Sequence, residues 1–126
     1  MDDDVRGSVR LMDAFADVFP AENIRHHFIG QDQNKGVYAK ELHIPAGFTL
    51  VSHRHPYDHM SILASGRVCL SLGTHHQYLT GPYALTIEAG QEHTLRALTD
   101  AVWFCIHPTE ETDAAKVDDV ILKETV

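Results

Sequence analysis

From Val37 onwards the chain is a succession of short runs in which apolar and polar residues alternate. The runs are Val37–Ile44, Phe48–Ser52, Met60–Ala64, Val68–Leu72, Gln77–Leu79, Ala84–Ile87, His93–Leu98 and Val102–His107. Gly, Pro or polar residues close each of them, as at Pro45-Ala46-Gly47, Pro56, Ser65-Gly66, Gly73, Gly81-Pro82, Ala89-Gly90 and Thr99-Asp100. A period of two suits strands, whose successive side chains leave by opposite faces. Eight such runs at regular spacing, with no helical stretch between them, predict a β-sandwich or barrel. Val68, Leu70 and Leu72 share one face, with Cys69 and Ser71 on the other. Trp103, Cys105 and His107 alternate with Val102, Phe104 and Ile106, and both sets hold apolar residues, as expected of a strand covered on both sides.

The flanks differ. Residues 1–8 are acidic and unpatterned. Val9, Leu11, Met12, Phe15, Val18 and Phe19 fall at helical spacing, which Pro20 ends; alternation in Ser8–Leu11 leaves an edge strand open as well. Asn23–Ile29 reads as a first strand and Gly30–Gly36 as a polar loop. Beyond Pro108 the chain turns acidic, and Asp113–Leu122 reads as a short tail helix or an extended segment. One domain is expected over 1–126, with a barrel core at about 37–107, an N-terminal arm 1–36 and a C-terminal tail 108–126.

Composition narrows the classes. The 126 residues carry a formal charge of −8, which argues against charge-driven binding of nucleic acid or anionic membrane. No run is long and apolar enough for a membrane span, and the acidic Met1–Asp4 start does not resemble an export signal, so the expected location is cytoplasmic. Cys69 and Cys105 lie among apolar residues and read as reduced, buried thiols. His stands out with ten copies, and imidazole is the commonest metal ligand.

Four of those His fall in two motifs. The first runs Gly47-x5-His53-x-His55-x3-His59-x6-Gly66, and the second is Glu88-Ala89-Gly90-x2-His93. His53 and His55, two apart, would leave a strand by the same face, and a turn at Gly90 would bring His93 from another strand. This pair of motifs resembles the two cupin motifs, with His59 where a Glu is usual and Glu88 where a Pro is usual. The resemblance implies an all-β cupin double-stranded β-helix, a jelly-roll barrel with a short N-terminal helix or strand segment. It further implies a metal site of His53, His55, His59 and His93 for a divalent transition metal, any of Fe, Ni, Zn, Cu, Co or Mn. It also implies a homodimer, to which the Val9–Phe19 segment would contribute. Four neutral imidazoles leave a dication its full charge, which favours an anionic or enolisable small-molecule substrate.

Three functions fit that site. The first is a metal-dependent enzyme of dioxygenase type. The second is a redox-neutral isomerase, lyase or hydrolase. The third is a non-catalytic module that binds a small molecule or metal. Tyr57 and Glu92, next to metal-motif His residues, are the candidate catalytic groups for moving protons. Asp58 is expected to cap the turn or orient a ligand. The adjacent pairs His26-His27 and His75-His76 read as loop or edge positions, and His43 as a surface or satisfied core residue. His107 shares parity with Trp103 and is a further candidate for the cavity mouth.

Overall fold

The computed structural model of the protein describes residues 20–51, 55 and 57–117. Nine strands are found among them: β1 (Ile24–Ile29), β2 (Val37–Ile44), β3 (Thr49–Val51), β4 (His59–Ser65), β5 (Arg67–Leu72), β6 (His75–Thr80), β7 (Tyr83–Ile87), β8 (His93–Ala97) and β9 (Ala101–Pro108). They form a five-stranded sheet ordered β1-β2-β9-β4-β7 and a four-stranded sheet ordered β3-β8-β5-β6. Every pairing is antiparallel. The eight runs expected from Val37 onwards are all strands, and β1 joins the larger sheet ahead of them by pairing with β2. A 3₁₀ turn at Gln31–Gln33 sits in the polar loop between them. Among the described residues no helix is long and apolar enough to cross a membrane.

The turn after β4 depends on Gly66. Its φ is +91°, and a Cβ there would lie 2.3 Å from the Asp100 carbonyl oxygen, so only glycine fits the close approach of the β8–β9 turn. In the tail, Asp113 Oδ1 accepts the Ala115 N–H at 2.8 Å, and its carbonyl accepts the N–H groups of Lys116 and Val117 at 3.0 Å. This is an Asp-capped helical turn, and it presses Val117 against Tyr38 and Phe28. The Val9–Phe19 segment and the rest of the expected tail helix lie outside the described residues.

Directly paired residues share a face, so the register sorts the inward side chains of the larger sheet into rows. Leu42, Trp103 and Leu63 make one row. Lys40, Cys105 and Ser61 make the next. Tyr38 and His107 follow, and extending the β4–β9 register by one pair sets His59 beside His107. The smaller sheet contributes Val68, Ala97 and Leu79, then Leu50, Leu95 and Leu70, then Leu72 with His93. The core is therefore apolar at one end, around Trp103, Leu63, Val68 and Leu70, and becomes imidazole-rich at the other.

Candidate functional site

At the polar end the rings of His55, His59 and His107 meet. Their centroids are 5.0 Å apart for His55–His59, 4.6 Å for His55–His107 and 4.6 Å for His59–His107. His59 starts β4, His107 lies near the end of β9, and His55 belongs to the loop ahead of β4. The side chain of His93, at the start of β8, turns inward and is electrostatically coupled to His59 and His55.

Two hydrogen bonds hold the motif loops together. The Gly90 N–H donates to the His55 carbonyl at 2.6 Å, and the Ala89 N–H donates to Asp58 Oδ1 at 2.8 Å. Gly90 has φ +74°, a left-handed conformation that glycine adopts without strain. Asp58 thus clasps the second motif's turn to the first. Tyr57 packs its ring near both His55 and His107, and its hydroxyl lies 3.1 Å from His107 Nδ1, within hydrogen-bonding distance.

Burial sets the electrostatics. His59, His93 and His107 are 6%, 4% and 2% exposed. Desolvation, reinforced by neighbouring imidazoles, lowers the pKa of His59 and of His93 to about 4 and that of His107 to about 2. All three are neutral at pH 7, the form in which imidazole binds a metal or accepts a proton. His59 Nδ1 and His93 Nδ1 are buried without a hydrogen-bond partner, as is Ser61 Oγ in the row beneath. Groups of this kind are normally satisfied by protein, water or ligand.

Of the residues singled out in the sequence, His55, His59, His93 and Tyr57 converge here, and His53 lies outside the described residues. Glu92 is exposed, while its neighbour His93 points inward. His107 belongs to the cluster more intimately than its parity alone suggested, because β9 runs between β2 and β4. His27 and His43 are on the outer face, each bonded to Glu41. Their hydrogen bonds hold the Glu41 carboxyl below its ordinary pKa. His76 meets Ser71 on the outside of the smaller sheet. Among the described residues, no three His, Cys, Asp or Glu side chains are arranged as a ready-made metal-binding group.

No protein-family model matches the chain, and no curated protein matches it. Solved structures do match. KdgF from Halomonas sp. aligns over 82% of this chain and 89% of its own at 16% identity, with a TM-score of 0.58. A cupin-2 domain containing protein from Shewanella frigidimarina aligns over 77% of this chain and 90% of its own at 16% identity, with a TM-score of 0.56. A cupin protein from Bacteroides fragilis aligns over 65% of this chain and 74% of its own at 17% identity, with a TM-score of 0.54. At such identities the likeness concerns architecture, not activity. Two antiparallel sheets in this strand order, matched by these structures, give the chain the cupin jelly-roll fold.

Proposed function

We propose that the chain is a metal-binding protein of the cupin type, acting on a small anionic or enolisable substrate with dioxygenase-type chemistry. The observation that carries this reading is the meeting of His55, His59 and His107, with His93 turned towards them from the other sheet. An imidazole nitrogen ~2.1 Å from an ion puts its ring centre ~3.2 Å away, so rings at right angles around that ion have centres ~4.5 Å apart and tetrahedral ones ~5.2 Å. The His55–His59 separation of 5.0 Å falls in that range.

His53, His55, His59 and His93 are the residues that would hold the ion, and the unpartnered Nδ1 atoms of His59 and His93 fit that role. A divalent transition metal held by neutral imidazoles would supply a Lewis acid, or a redox centre if it is iron. His107 and Tyr57 then orient the substrate. With the Tyr57 hydroxyl donating to Nδ1, neutral His107 carries its hydrogen on Nε2 and can offer a hydrogen bond to a substrate oxygen. Glu92, being exposed, is left to the rim.

Elemental analysis of untagged protein, purified without a nickel column, tests the metal. About one equivalent per chain is expected, falling to a trace in His59→Ala and His93→Ala. Unchanged content in both variants defeats the site. Oxygen uptake with Fe(II) and a panel of diketones tests the reaction class, and ligand binding without turnover under any metal would favour a binding module.

A further inference from the structure

The chain crosses from the larger sheet to the smaller over residues 88–92, between the end of β7 and the start of β8. His93 is the first residue after that corner, so the corner decides where its ring enters the interior. The β4–β7 ladder ends just before it, with His59 paired to Ile87. One residue further out a side chain takes over from the backbone, and Asp58 Oδ1 accepts the Ala89 N–H at 2.8 Å. The next amide, that of Gly90, donates to the His55 carbonyl at 2.6 Å. The corner also closes on itself, with the Gln91 N–H donating to the Glu88 carbonyl at 3.1 Å and Gly90 at the third position with positive φ. His59 and His107 are held differently, by the ladders of β4 and β9 to which they belong. Asp58 is exposed, and an exposed carboxylate ordinarily faces water. Here one of its oxygens is committed to an amide 31 residues away in the chain.

We propose that Asp58 is a positioning residue: its carboxylate fixes the corner between the sheets, and the corner fixes His93 relative to His55 and His59. Metal affinity then depends on a residue that need not touch the ion. Without the Asp58 bond the corner loses its tie to the end of β4, and the neighbouring Gly90–His55 bond loosens with it. Outer residues that orient metal ligands commonly cost about 10–100-fold in metal affinity when replaced. Geometry and charge must be told apart, because the Asp58 carboxylate is also felt at His59, the next residue. Asparagine separates them, since its side-chain oxygen accepts the same N–H without the charge. The effect on metal rests on the metal-site reading above; the effect on the corner does not.

Wild type, Asp58→Ala and Asp58→Asn are compared by calorimetric titration with Zn(II) and by amide hydrogen exchange of the metal-free protein. Asp58→Ala is expected to bind Zn(II) about tenfold more weakly and to exchange the Gly90 amide about tenfold faster. Asp58→Asn is expected to stay close to wild type in both. Equal weakening in the two variants would assign the effect to charge and overturn the proposal. Unchanged zinc affinity in Asp58→Ala overturns it as well, and so does an unaltered Gly90 amide. If wild type binds no zinc, the metal reading falls and the His93 ring resonances of the metal-free protein decide. A shift in Asp58→Ala that is absent from Asp58→Asn sustains the positioning role, and no shift overturns it. If Asp58→Ala does not fold, Asp58→Ser, one bond too short to reach the amide, takes its place with the same expectations.

Discussion

The two ends of this barrel are built from the same strands and have opposite characters. At one end Trp103, Leu42 and Leu63 of the larger sheet face Val68 and Ala97 of the smaller, all buried and none polar in its side chain apart from the indole N–H. Two rows away on the same strands, at Tyr38, His107 and His59, the burial is equal and the chemistry is imidazole and phenol. The apolar end gains free energy by removing side chains from water. The polar end gives some back, because buried imidazoles whose nitrogens lack partners are destabilising. A fold that keeps such an end stabilises it elsewhere, and the separation allows ligand-facing residues to change while the packing remains.

The contrast can be broken most forcefully at the apolar end. Trp103→Ala should destabilise the protein by about 3–5 kcal/mol in urea unfolding, while any folded fraction retains its metal stoichiometry. Loss of metal at unchanged stability would mean that the two ends are not separable.

Acid probes the other end. The folded-state pKa values of about 4 for His59 and His93, and about 2 for His107, lie below the ordinary 6.5 of the unfolded chain. Between those limits the unfolded chain binds more protons, so stability is full above about pH 6.5 and falls as the pH drops towards 4. Each such proton contributes about 1.4 kcal/mol per pH unit, readable as a falling urea midpoint in metal-free protein. A midpoint flat from pH 7 to 5 would mean that these rings are solvated.

Two replacements sharpen the comparison further. His93→Leu removes an unpartnered buried polar group at similar volume, so metal-free protein should gain about 1 kcal/mol while losing its metal affinity. A loss of stability instead would indicate that His93 is already satisfied. Tyr57→Phe should change stability by about 1 kcal/mol or less, through the bond of its hydroxyl to His107, and leave metal content intact. Substrate turnover should fall with it if the hydroxyl fixes the His107 tautomer.

The alternation of apolar residues and the Gly and Pro stops made the strands legible, since both act within a few residues of themselves. His55, His59 and His93 were legible for the same reason, as their spacing is local. His107 was harder to place. Its inward parity with Trp103 is visible in the sequence, but its neighbours are not, because β9 pairs with two strands distant in the chain. Asp58 was expected to cap a turn or orient a ligand. Its actual bond to Ala89 spans 31 residues and follows from tertiary packing.

The position of β9 also bears on how the molecule is made. Ala101–Pro108 is the last of the described strands in chain order, yet it sits in the middle of the five-stranded sheet. Until it arrives, β2 and β4 each have an open edge and the pairs β1–β2 and β4–β7 are not joined. Such long-range pairing is slow, and open edges are where chains pair wrongly. A nascent chain therefore cannot complete this barrel until residue 108 has left the ribosome, and His107 enters the cluster in that same closing step.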